Sequence, residues 1–269
     1  PPDGNPPDDA ERKPLCFRTE AVAVEISPVN AGVRHIGFEG DGPTLAHVTL
    51  AAPLLALERR DGSTVESGDV VRATQTAHGL LVETRAPGLK AAAKWVADRD
   101  AGQLRLLVWV RNLEGADIWR VRLNVSRGLA IGGDAHDDTW LVGKELLSPE
   151  KTVGEHSWVS PHQFPFDLVT IGDSVASVYV LYEDRELLDT RVEFGRRDSD
   201  APGHLAFTKY PRIKTDETWA APPLVLGAYA GGDWHVAGDR FSRWWYTWAQ
   251  TPRTPGWLAM PWLGITEIP

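Results

Sequence analysis

From Leu15 to about Ala230 the apolar positions of this chain recur every second residue. That is the period of a pleated strand, whose successive side chains face opposite sides of a sheet. The stretch from Ile118 to Ser126 is the clearest case. There Trp119, Val121, Leu123 and Val125 alternate with Arg120, Arg122 and Asn124, which predicts one dry side and one wet side. Similar runs predict strands over 21–26, 45–50, 54–59, 70–76, 80–85, 91–96, 104–111, 168–171, 175–182, 190–194, 205–210 and 224–229. Asp61-Gly62, Asp100-Ala101-Gly102 and Gly172-Asp173-Ser174 supply the chemistry of tight hairpin turns, so adjacent strands should be mostly antiparallel. Many strands with no helical period between them predict an all-β chain, a large antiparallel two-sheet β-sandwich bigger than an immunoglobulin domain.

Three segments leave this pattern. Residues 1–14 are rich in Pro, Asp and Gly, have no apolar face, and read as a flexible arm or linker before a domain spanning 15–235. Between Gly128 and Pro165 the period is lost for longer than an ordinary connection, and long irregular loops often carry function. This segment supplies Asp134, His136, Asp137, Asp138, Trp140, Glu155, His156, Trp158 and His162. Carboxylates and imidazoles can do acid/base work, and indole faces stack on the C–H surface of sugars. Asp137, Trp140, His156, Trp158 and His162 are therefore the candidates for carbohydrate contact. The spacing of Asp134, His136 and Asp138 fits no familiar calcium or zinc pattern, so neither a metal nor another cofactor is expected.

Over 236–250 the period becomes helical, with Phe241, Trp244, Trp245 and Trp248 on one stripe, Asp239 as a cap or dipole partner, and Pro252 and Pro255 beyond. Trp257 and Trp262 follow in a proline-punctuated tail. Together with Trp244, Trp245 and Trp248 they make a costly aromatic surface, expected to bury itself against another domain. The segment 236–269 thus reads as a linker helix and an entry into a catalytic domain that this chain lacks.

The formal charge of −9 disfavours nucleic acid and anionic membrane surfaces, both of which need clustered Lys and Arg. A single cysteine, Cys16, excludes an intrachain disulfide and leaves the compartment open, with an extracellular or periplasmic setting favoured over the cytoplasm. No glycine-rich phosphate loop and no GxSxG elbow occurs. Glu183, Asp184 and Glu186 follow a strand and could form a dyad, although any polar hairpin turn would look the same. Asp233-Trp234-His235 reads as a helix-entry turn with Trp234 packed on the sheet.

The block VLGAYAGGDWHVAGDRFSRWWYTWAQTPRTPGWLAMPWLGI is a strand, a Gly-rich turn, a helix of the form D-R-[FY]-x-x-W, and P-x-W-L before an apolar run. It resembles the junction in multidomain glycoside hydrolases where an N-terminal β-supersandwich of the galactose mutarotase-like type hands over to a catalytic (β/α)8 barrel. GADIWRVRLNVSRGLAIGG resembles the middle strands of that sandwich. The resemblance implies a supersandwich fold and a non-catalytic role, supporting the barrel and lending a loop to its sugar site. Partners would be a carbohydrate and a C-terminal catalytic domain. It would place the cleaving carboxylates outside this chain. Two alternatives stand beside it: a self-sufficient aldose epimerase or polysaccharide lyase, and a stand-alone carbohydrate-binding module with Trp140 and Trp158 as platforms.

Overall fold

The computed structural model describes residues 13–38, 46–49, 52–132, 134–143, 145–160 and 167–249. Its strands form two antiparallel sheets. The first sheet runs β1 (Leu15–Arg18), β2 (Val22–Ile26), β3 (Val33–Phe38), β4 (Ala46–Thr49), β11 (Ile118–Ile131), β18 (Gly203–Lys209), β17 (Thr190–Arg196) and β14 (Gly154–Ser160). The long β11 holds β4 along its second half and β5 (Leu55–Arg59) along its first, and β6 (Thr64–Glu66) pairs β5. The second sheet runs β13 (Glu145–Leu147), β12 (Thr139–Val142), β15 (Leu168–Gly172), β16 (Ala176–Tyr182), β20 (Leu224–Ala230), β10 (Gln103–Asn112), β9 (Leu89–Asp98), β8 (Gly79–Ala86) and β7 (Asp69–Thr76), with β19 (Thr218–Ala220) on β10.

The core lies between the sheets. Val24, Ile36, Leu57, Val121, Leu123, Val192 and Phe207 meet Val82, Trp95, Leu106, Val108, Val178, Val180 and Leu226 there. Each such side chain contributes roughly 1.5–3 kcal/mol by leaving water. β16 is buried along its whole length because its second face is also covered: Tyr179 and Leu181 join Leu168, Val225 and Tyr229 under α1 (His235–Trp245). A strand dry on both faces reads as an unbroken apolar run, which is what ASVYVLY is.

The turn residues act as their chemistry predicts. Asp61 Oδ1 accepts the Ser63 amide at 2.9 Å with Gly62 at φ 84°, and Asp173 Oδ1 accepts the amides of Val175 and Ala176 at 2.6 and 2.7 Å. Only a residue free of a Cβ adopts the Gly62 conformation without strain.

Three expectations need correction. A bulge between Ile118 and Arg120 shifts the register, so Ile118 enters the core while Trp119 turns outward and rests on Tyr210, 5.8 Å between ring centres. The irregular segment is less irregular than its sequence: β11 runs on to Ile131, and β12, β13 and β14 form within it. At the helix, Asp239 caps nothing; Asp233 instead accepts the His235 amide at 3.1 Å, and Trp234 is exposed, stacked on His235 at 3.9 Å rather than packed on the sheet.

Candidate functional site

Residues of β14 divide strictly between the two faces of the first sheet. His156 and Trp158 point inward, where both meet the buried Phe194, His156 stacked at 5.2 Å and Trp158 edge-on at 5.6 Å. Trp140 stacks on the same ring at 5.8 Å and has no exposed surface. Of the five sequence candidates, then, Trp140, His156 and Trp158 come together, but around a core phenylalanine. A fully buried indole offers no face to a sugar, so Trp140 is a core plug. Asp137 stands apart on an exposed turn, and His162 lies outside the described residues.

The acidic neighbours of Asp137 do not converge either. Asp134 accepts the His136 amide, His136 Nδ1 pairs with Asp200 at 2.8 Å, and Asp138 is buried with one oxygen on the Ile131 amide at 3.1 Å. Burial pushes the Asp138 carboxyl up from 3.8 to about 7, against the Ile131 amide and Arg196, which favour the anion. A carboxyl raised in this way holds its proton more tightly folded than unfolded. Its contribution to stability is complete below pH 3.8 and is lost as the pH rises through about 7. Asp138→Asn should therefore flatten the fall in melting temperature between pH 4 and 7, checked by thermal melts across that window. An unchanged slope would place Asp138 outside the titration.

The opposite face of the first sheet carries a polar trough of about 580 Å3. Its floor comes from the wet positions of β11, Arg122, Asn124 and Ser126, continued by His204 and Ala206 of β18. Its walls are Arg127, Gly154, Glu155, Arg196, Arg197 and Pro202. Asn124 is held by donating to Pro53 O at 2.7 Å, and Arg122 lies 3.2 Å from Glu193, which also pairs with Arg120. His204 Nε2 lies 3.0 Å from Glu155 Oε2, a close contact too bent to make a good hydrogen bond. Burial holds the imidazole below its ordinary value and so favours its neutral form, with Glu155 opposing. The strand period foretold the wet face of β11; the partners on β14, β17 and β18 come from distant sequence and left no local signal.

A second surface lies on the other sheet. Ala237, Val236 and Phe241 seat α1 on Tyr179, Leu181, Val225 and Tyr229. Arg240 clamps it by donating to Ala101 O and, at 3.0 Å, to the Tyr179 hydroxyl, with its guanidinium 5.4 Å from the Tyr179 ring centre. That hydroxyl in turn donates to Gln103 Oε1 at 2.7 Å. Trp244, Trp245 and Trp248 cluster at 4.8–6.3 Å between rings and remain only half-buried. The exposed Leu187 and Leu188 lie beside them. Trp257 and Trp262 fall outside the described residues. Glu183 and Asp184 do not form a dyad: Glu183 pairs with Arg105 at 2.9 Å, and Asp184 turns inward to Lys209 at 2.6 Å.

No family model and no curated protein matches this sequence. Solved structures do. The α-N-acetylgalactosaminidase NagBb from Bifidobacterium bifidum superposes on 87% of this chain with a TM-score of 0.63 at 12% identity. A galactose mutarotase related enzyme from Lactobacillus acidophilus superposes on 82% with a TM-score of 0.57 at 10% identity, over 99% of its own length. The GH36 α-galactosidase AgaA from Geobacillus stearothermophilus superposes on 82% with a TM-score of 0.51 at 11% identity. The match spans only 39% of the first of these chains and 41% of the last. The chain therefore has the galactose mutarotase-like β-supersandwich fold, which it shares with part of larger glycoside hydrolases and with a mutarotase-related enzyme.

Proposed function

We propose that this chain is the non-catalytic β-supersandwich domain of a glycoside hydrolase, and that it buttresses a catalytic (β/α)8 barrel through the aromatic side of α1. The observation that carries this reading is the half-buried cluster of Trp244, Trp245 and Trp248 beside the exposed Leu187 and Leu188, on a helix that Arg240 holds rigidly to the sandwich. Contiguous apolar surface of this kind marks an interface. Alignment to about two fifths of the length of sugar hydrolases supports the same role. The epimerase alternative is disfavoured by where its acid and base candidates lie. Ring opening needs an acid and a base on different oxygens of one sugar, whereas among the described residues of the 128–165 segment His136 pairs with Asp200, Asp138 is buried and His156 stacks on Phe194.

The test is hydrogen–deuterium exchange over residues 235–249, comparing this chain with the same chain extended by whatever follows it in its gene. The expected result is at least about tenfold slower exchange of α1 in the longer protein, as burial suppresses local opening. Equal exchange in both, or a gene that encodes no further domain, overturns the reading.

A further inference from the structure

The trough on the first sheet is cationic in a chain that is acidic overall. Three arginines present their side chains to it, Arg122, Arg127 and Arg197, against the single carboxylate of Glu155, while the chain as a whole carries −9. Two of the three are partly neutralised, Arg122 by Glu193 at 3.2 Å and Arg197 by Asp198 at 2.9 Å. Arg127 has no ion-pair partner among the described residues. Arg196 lines the trough only through its backbone side, because its buried guanidinium turns to the other side of the sheet, donating to Ala135 O and lying 5.8 Å from the centre of the Trp140 ring.

Among the described residues the lining holds no indole, phenol or phenyl ring. A neutral sugar gains much of its affinity by laying its C–H face on an indole or phenol, and here Trp140 and Trp158 stand on the other side of the sheet around Phe194. Recognition by these residues comes from charge and hydrogen bonds. Its volume of about 580 Å3 suits one or two sugar rings. The fork of a guanidinium matches a carboxylate in two parallel hydrogen bonds. Asn124, Ser126, His204 and Glu155 offer the mixture of donors and acceptors that hydroxyl groups need.

We propose that the trough formed by β11, β14, β17 and β18 is a binding site for an acidic saccharide, a uronate whose carboxylate is taken by Arg127 and Arg197 while its hydroxyl groups meet Asn124, His204 and Glu155. This assignment is independent of any second domain, so it stands or falls apart from the buttress role of α1.

The experiment is isothermal titration of the chain with D-galacturonate and D-glucuronate, with the neutral D-galactose and D-glucose, with galactose 6-phosphate, and with inorganic phosphate. The expected result is saturable uronate binding, about tenfold or more tighter than that of the parent hexose, as a charge-assisted pair gives. Binding should weaken at high salt and fall about tenfold again in Arg127→Gln/Arg197→Gln. Both arginines are exposed, so the variant should keep the wild-type melting temperature, which is measured alongside. Neutral hexoses binding as tightly as uronates, no saturation by any uronate, or a double variant that binds like the wild type would each overturn the proposal. Equal binding of inorganic phosphate would reduce the trough to a simple anion site and overturn it as well. Tight binding of galactose 6-phosphate alone would overturn the carboxylate in favour of a phosphorylated sugar.

Discussion

Replacing Lys209 by methionine is expected to destabilise the sandwich by about 3–5 kcal/mol, the usual cost of stripping the partner from a buried charge. Lys209 is buried, its Nζ 2.6 Å from Asp184 and 3.4 Å from Asp167, and it also donates to Leu188 O at 3.0 Å and to the Thr190 hydroxyl. The ammonium lies 5.2 Å from the centre of the Tyr182 ring. Methionine keeps the length and apolar stem but leaves two buried carboxylates facing each other with no cation. Asp167→Asn should cost less, because Asp184 retains the closer contact. Asp184 also accepts the amides of Glu186 and Leu188 at 2.9 and 3.0 Å, so Lys209→Met should loosen the segment carrying Leu187 and Leu188 along with it. Urea unfolding at pH 7 measures both variants. A loss under about 1 kcal/mol for Lys209→Met, or a larger loss for Asp167→Asn, would show that the cluster does not hold this end of the sheet.

Trp140→Ala is expected to cost about 3–5 kcal/mol through the cavity it leaves, and to leave ligand binding in the trough unchanged. The ring is enclosed by Phe194, by the Arg196 guanidinium 5.8 Å from its centre, and by Gly203, where an added Cβ would collide with the indole. Trp140→Phe should recover much of the loss, since it refills part of the space and removes an indole N–H that is buried without a partner. Trp158→Ala, at a half-buried position on an edge strand, should cost distinctly less. Guanidinium chloride denaturation ranks the three. Equal and small losses for Trp140→Ala and Trp158→Ala would mean the rings are surface platforms after all.

Much of this architecture can be read from local pattern. Strands with one wet face announce themselves by alternation, and β16 by its unbroken apolar run, because burial acts on each side chain separately. Turn geometry is equally local, as Asp61-Gly62 and Asp173 show. What the pattern hides is non-local. Lys209 and Asp184 are 25 residues apart and meet only once β17 and β18 are paired and the 183–189 segment has turned inward. The bulge at Trp119 is likewise set by pairing with β5, so alternation alone puts that indole on the wrong side. The candidate site illustrates the period-two rule most sharply. His156 attracted notice, yet its neighbour Glu155 is the residue that reaches the trough, because consecutive strand residues face opposite ways. β12 and β13 are only four and three residues long, too short to display a period of their own, and they are recognisable as strands only through the neighbours they pair with.

The Arg240 clamp has a mechanical corollary. A helix tied to the 98–101 turn and to Tyr179, rather than merely greased onto a sheet, cannot swivel without breaking hydrogen bonds at both points. A spin label at the exposed Tyr246, one residue beyond α1, would report the rotational diffusion of the whole sandwich, and a cargo joined there would inherit a set heading instead of a loose tether.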